Sequence, residues 1–309
     1  MSTATNQATP RPQPKPRPVH KPVSRKALIW RRLRRKPQFW VGLSIFGFMV
    51  LFALFGNIFN IWSATDQDVQ AVINPELQAP SSQHWFGTDS IGQDLYARII
   101  EGLRKSLLIG LIAGPSATLI AALIGSFAGY MGGKVESVIN WFISLMLVLP
   151  TFYVLMIVSP MMQSLGWIVI VFFIAGFGWM IMAQIVKNQS KSLREREFVK
   201  AARFMGVGTF RTLTRHIIPN VASLLIIDAC LGVNSAILSE TALSFFGLGI
   251  QPPDSSLGTL LSDGQPAAVT RPWLFIFPSV FLISLLTSIN LIGDALRDAI
   301  DPTSEVNRA

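Results

Sequence analysis

Six stretches of this sequence stay predominantly apolar for about the length that a bilayer core demands. They lie at residues 38–62, 104–130, 137–160, 166–187, 220–246 and 273–295, where roughly 18 or more apolar residues in a row mark a membrane-spanning helix. Within hydrocarbon every backbone N–H and C=O must bond inside its own segment, so such runs are constrained to be helical. The expected fold class is all-α, a polytopic membrane protein with six transmembrane helices. Composition agrees, with 50% hydrophobic and 14% charged residues and a mean hydropathy of +0.47, too apolar for a soluble globular domain. Trp40 and Trp62 flank the first run 22 residues apart, about 33 Å of helix, which matches an aromatic belt at each membrane face. Pro115, Pro150 and Pro278 fall inside the second, third and sixth runs. Each removes a backbone hydrogen bond and should kink its helix, either for gating or for ordinary packing.

Charge sets the orientation. Residues 1–37 hold eleven Lys and Arg; alternating prolines from Pro10 to Pro22 favour an extended tail, and Arg25–Lys36 reads as a basic amphipathic segment on the anionic inner leaflet. Membrane lipid, not nucleic acid, is the partner expected of it. With the N-terminus inside, 22 of the 26 Lys and Arg are cytoplasmic; Arg98, Arg104, Lys105 and Arg271 stay outside. The positive-inside rule selects that topology, with both termini in the cytoplasm of a multi-pass protein of the cytoplasmic membrane. The domains expected are a tail at 1–37, a first transmembrane helix at 38–62, an extracytoplasmic segment at 63–103 and a five-helix core at 104–302. The lone Cys230 lies in an apolar run, so no intrachain disulfide can form.

The core is interrupted by a polar insert at 188–219. On a helix, Arg196, Lys200 and Arg203 share one face and Phe198, Ala201, Ala202 and Met205 the opposite one. Gly206 and Gly208 end that helix, Thr209 caps a second short helix carrying Phe210, Leu213 and Ile217, and Pro219 suits the first turn of the next span. Read alone, the insert is either a docking element for a soluble partner or an amphipathic loop resting on lipid headgroups.

Its residues resemble the EAA loop of ABC importer permeases. Ala201 and Ala202, then Gly206 four residues on and Pro219 thirteen beyond, follow that pattern. Lys200 stands where the family has glutamate, so Glu197, one turn earlier, is the expected substitute; His216 in the run from Arg215 to Asn220 looks like the peptide branch. Three further stretches resemble the same branch, the C-type permease of dipeptide, oligopeptide and nickel importers: His84 to Asp94 (with Gln93 for arginine), Glu240 to Pro253, and Asn290 to Pro302. The resemblance covers about residues 25–302. It implies a type I ABC importer permease fold with ATPase-coupling residues Glu197, Ala201, Ala202, Arg203, Gly206, Arg215 and Pro219. It also implies four partners: a second homologous permease subunit, two cytoplasmic ATPase subunits and an extracytoplasmic substrate-binding protein. The function implied is ATP-driven import of di- or oligopeptides; nickel or another solute remains open, as does, from another class, an ATP-independent channel or secondary carrier.

The chain has no Gly-x-x-x-x-Gly-Lys-[Ser/Thr] motif, since Gly129 to Lys134 has the wrong spacing. It is therefore not expected to be an enzyme: no catalytic residues, no metal site and no cofactor of its own, with ATP and Mg held by the partner ATPases. Its three histidines, His20, His84 and His216, are scattered in sequence. Intramembrane polar groups are the candidates for a translocation path, here Asp228, Asn234 and Glu240 on the fifth run. Asp228 either contacts a cationic peptide amine or bonds a neighbouring helix. Glu240 either lines the path or stabilises a turn near the outer interface. Asp294 and Asp298, beside Arg297, read as anchors of the cytoplasmic terminus, and the acidic stretch 63–97 either contacts a binding protein or is solvated.

Overall fold

The computed structural model of the chain describes residues 25–162, 166–252 and 254–300; the proline-rich part of the tail and the end of the last motif lie outside them. Among these residues there is no strand, only helix and two isolated β-bridges in the outer loop. Four helices are long and apolar enough to cross a membrane, and two bent pairs raise the number to six if each pair is one span. The chain is an all-α polytopic membrane protein, as its apolar runs require.

A short basic helix, α1 (Arg25–Leu33), precedes α2 (Pro37–Phe55), whose first turn accepts Pro37 because the N–H proline lacks would be unbonded there anyway. A 3₁₀ turn, Gly56–Phe59, ends this span, so Trp62 lies beyond the helix. Its ring sits 4.8 Å from the His84 ring.

The outer segment carries a short helix, α3 (Val69–Ile73). The long central helix, α4 (Leu95–Met131), starts nine residues before the apolar run suggested, because Asp94 caps it by accepting the Ala97 N–H at 2.9 Å. The segment from 95 to 103, expected to be loop, is thus the outer end of the second span. The helix also runs unbroken through Pro115.

The third span is two helices, α5 (Gly133–Val148) and α6 (Thr151–Met162), with 73° between them at Pro150. The fourth is α7 (Trp167–Gly178) and α8 (Met180–Arg194), bent by 41°. Helix α8 runs seven residues past the expected end of its span, so the first part of the polar insert continues a membrane helix. After a short α9 (Glu197–Phe204) and α10 (Thr209–Thr212), a π-helical turn at Leu213–Ile217 leads directly into α11 (Ile218–Phe245). An outer helix, α12 (Leu257–Gly264), precedes α13 (Trp273–Ile300), which is continuous through Pro278.

Helix α4 is the hub, touching α2, α5, α7, α8, α11 and α12. Lipid chains are as apolar as leucine, so close backbone approach rather than water exclusion holds such helices together. One close crossing shows it: a Cβ at Gly114 would lie 2.5 Å from the backbone of Gly232, so α4 and α11 meet there because Gly114 lacks a side chain. At one end of the bundle Leu33 and Phe39 pack on Ala295 and Ala299, and Lys36 pairs with Asp298, tying α1 to the last helix. At the opposite end His84 is buried between Asp94 at 2.9 Å and Asp68 at 3.2 Å, so the loop brings together groups scattered in sequence. Burial pushes the Asp68 carboxyl upward, but hydrogen bonds from the Gln70 N–H and His84 outweigh it and hold the group below the usual carboxylate value. Arg98 then bridges Asp89 (2.7 Å) on this loop to Asp263 (2.9 Å) on α12.

Candidate functional site

Two features stand out at the residues singled out by sequence: an uncovered helix in the polar insert and a polar cavity between the spans. The helix is α9. Arg196 caps it in an extended conformation, Glu197 lies in its first turn and Arg203 in its last, the arrangement the helix dipole favours. Its end is a Schellman motif. The Val207 N–H donates to Ala202 O at 3.1 Å and the Gly206 N–H to Arg203 O at 3.0 Å, with Gly206 at φ +77°.

The face expected to be apolar is split. Ala202 is buried beside Val199, whereas Phe198, Ala201 and Met205 face outward and Phe204 is 89% exposed. Three-residue spacing explains this: 199 and 202 align toward the bundle, which turns 198, 201 and 205 away from it. Lys200, in the glutamate position, pairs at 3.2 Å with Glu195. Lys200 and Arg194 hold the exposed Glu195 carboxyl below its usual range. Glu197 stands exposed one turn before the paired alanines, and Arg203, Arg215 and Pro219 are exposed too.

The second helix of the insert is not separate. Gly208, not Thr209, is its N-cap, and from Thr209 the chain is helical to Phe245. The π turn adds a residue to one coil and lets Leu213 and Ile217 both face inward, while Phe210 is 75% exposed. The second half of the insert is therefore the end of the fifth span itself, and movement of α9 and α10 bears directly on α11.

That helix carries the second feature. A cavity of about 210 Å³ opens between α4, α6, α7 and α11, and its polar lining is Asp228, Thr118, Thr151, Ser235 and Ser239. Thr118 donates to the Asp228 carboxylate at 2.6 Å, so Asp228 both bonds a neighbouring helix and faces the cavity. Both bent spans break at its wall: Thr151 follows the α5–α6 break, and Phe177 and Gly178 precede the α7–α8 break. Broken backbone at membrane depth is tolerated where it lines a cavity or is covered by protein.

Asn234 and Glu240 do not share this cavity. The Asn234 amide donates to Asn290 Oδ1 at 2.6 Å and to Leu286 O at 3.2 Å, joining α11 to α13. Glu240 is 0% exposed; one carboxylate oxygen accepts from Ser244 at 2.5 Å and Ser256 at 2.6 Å. Since Ser256 also caps α12, Glu240 locks the outer helix onto α11. Both lie off the wall of the Asp228 cavity and join helices instead, because offsets of six and twelve from Asp228 leave its helical face. Ser235 and Ser239, at offsets of seven and eleven, stay on it, and that spacing is the signal the sequence carries.

Known proteins share this chain's sequence at both ends and through the core. The family described as "Binding-protein-dependent transport system inner membrane component" matches residues 121–305. That described as "N-terminal TM domain of oligopeptide transport permease C" matches residues 24–80. The oligopeptide transport system permease protein OppC of Mycobacterium bovis is 44% identical, over 91% of this chain and 96% of that protein. OppC of Haemophilus influenzae is 38% identical over 88% and 86%. The dipeptide transport system permease protein DppC of Bacillus subtilis is 35% identical over 88% and 84%.

Proposed function

The chain belongs to the family of binding-protein-dependent transport system inner membrane components, and from that premise we propose that it is the membrane-spanning subunit of an ATP-driven peptide importer. The assembly contains this chain, a second homologous permease, two cytoplasmic ATPases that hold ATP and Mg, and an extracytoplasmic binding protein. It sits in the cytoplasmic membrane with both termini inside. Peptide as substrate is supported by the oligopeptide and dipeptide permeases that this chain resembles over most of its length.

One observation carries the coupling assignment: α9 stands outside the helix bundle with Phe198, Ala201, Phe204 and Met205 uncovered. A cleft between two ATPases would bury that face, with Lys200 and Arg203 at its rim. Glu197, Ala201, Arg203, Gly206 and Arg215 would meet the ATPase, Ala202 would seat α9 on α8, and Pro219 would set the entry into α11. Closure of the ATPase dimer would displace α9 and α10. Because α10 continues into α11, the displacement reaches Asp228 and the cavity at the two span breaks. The device is a two-state element whose equilibrium is biased by how differently each state contacts the nucleotide-bound partner.

The test is affinity purification of the tagged chain from membranes in mild detergent, followed by ATP-dependent peptide uptake in vesicles. Recovery of one homologous permease and two ATPases, with uptake that stops without ATP, is expected. A chain that purifies alone and conducts solute without ATP refutes the reading.

A further inference from the structure

Hydrogen-bond accounting in the membrane cavity specifies what it can hold. Thr118 has committed its hydroxyl proton to Asp228. Ser239 donates to Ser235 O at 2.8 Å, and Ser235 to Leu231 O at 3.4 Å. Each hydroxyl proton is spent, so these oxygens face the cavity with lone pairs only. The Thr151 hydroxyl has no such commitment and rotates to either role. Asp228 adds a carboxylate, and among the described lining residues there is no Lys, Arg or His. The remaining wall is apolar, including Leu155, Ile174, Phe177 and Leu231. A single negative charge and several acceptors, enclosed by apolar walls, are complementary to a compact cation rich in N–H donors. Ser235 is exposed, so the cavity is reachable from outside the chain.

We propose that the Asp228 cavity is a cation subsite that takes an alkylammonium group, the amino terminus of a peptide in transit. This rests on the importer reading for the identity of the ligand, though not for the cation preference. At about 210 Å³ the cavity is below the roughly 300–1,000 Å³ of sites that enclose whole drug-sized ligands. It therefore receives one end of a peptide while the remainder lies in the opening. Ser235 and Ser239, two and three turns from the carboxylate on the same face of α11, accept from N–H groups further along the peptide. Asp228 is the residue that sets specificity, since it alone supplies charge.

The test uses the assembled transporter in membrane vesicles. Replacing the single natural cysteine by Cys230→Ser and introducing Ser235→Cys, or separately Ser239→Cys, places one thiol in the cavity. Its rates of modification by methanethiosulfonates carrying an ammonium or a sulfonate are measured, each normalised to reaction with a free thiol. A cleft of one charge sign raises local counter-ion concentration about tenfold or more, so the ammonium reagent is expected to react faster by at least that factor. Asp228→Asn should bring the ratio near one and Asp228→Glu should keep it. A dipeptide with a free amino terminus should slow the labelling, and its N-acetyl form should not. An unchanged ratio in Asp228→Asn, or no labelling at either position by either reagent, overturns the proposal. ATP-dependent uptake by the same vesicles is scored separately. Uptake without charge selectivity condemns the subsite alone, and charge selectivity without uptake condemns the importer reading alone.

Discussion

Gly206 separates two contributions that most substitutions in the loop would confound. Its φ of +77° lies in the left-handed region, and a Cβ built there meets nothing within 4 Å. Any cost of alanine at this position is therefore backbone strain and not collision. That strain is about 1–2 kcal/mol for an L-residue in the left-handed region, a factor of roughly 5–30 in the population of the intact Schellman end. Asparagine tolerates the conformation better and should cost less. Tryptophan adds to alanine's strain a bulky ring beside Phe204 and Met205, which are 89% and 77% exposed; its effect beyond alanine thus reads partner contact. The assay is ATP-dependent peptide uptake in vesicles, with the membrane level of the chain and co-retention of the ATPases measured alongside. Gly206→Asn should be close to the parent and Gly206→Ala should lose several-fold. Gly206→Trp should lose both uptake and the ATPases while the chain stays at normal membrane level, because no span contacts the site. Normal uptake by Gly206→Trp at normal membrane level would refute α9 as the docking element.

Glu240→Ala leaves two buried serine hydroxyls without their acceptor, a loss of about 2–6 kcal/mol at roughly 1–3 per group. Glu240→Gln keeps a carbonyl oxygen in place and should cost far less, so equal drops in thermal stability of the purified assembly would disprove the α11–α12 tie. Gly114→Val places a branched side chain where a Cβ would already be 2.5 Å from Gly232, and overpacking of about 3 kcal/mol or more should abolish accumulation in the membrane; normal expression would contradict the crossing. Since the Asp68 pKa is lowered in the folded chain, its contribution is complete above the ordinary carboxylate value and is lost as pH falls through the depressed one. Protection of amides in the loop that holds Asp68, each rate being divided by the intrinsic rate at that pH, should accordingly be unaffected by Asp68 above the ordinary carboxylate value and drop only in stronger acid, with Asp68→Asn removing that acid transition.

Apolar run length made the spans legible, because hydrocarbon admits no alternative to helix, but it could not say where helices begin or break. The start of α4 was decided by Asp94, a cap that lies among polar residues and so reads as loop in a hydropathy count. Of Pro115, Pro150 and Pro278, Pro150 alone sits at a break; Pro115 and Pro278 are absorbed into continuous helix. The proline itself does not settle the outcome, since neighbouring helices decide whether its freed carbonyl is satisfied.

At the loop, the paired alanines, glycine and proline mark α9 and its end, yet helical periodicity gives two opposite faces without saying which one the bundle takes. Amphipathicity assumes that apolar means inward. In α9 small apolar residues go inward, Val199 and Ala202, and the larger Phe198, Phe204 and Met205 remain outside. That inversion is costly for a chain in isolation and is what a surface built for a second protein looks like. The same logic holds along α11. Its three conspicuous polar residues stand alike as path candidates in the sequence, but Asn234 and Glu240 each tie α11 to another helix through one polar atom, with Asn234 Oδ1 and the second Glu240 oxygen left without a partner among the described residues, whereas the Asp228 carboxylate faces open space. Only the packing of neighbouring helices tells a polar group tied to another helix from one directed into a cavity.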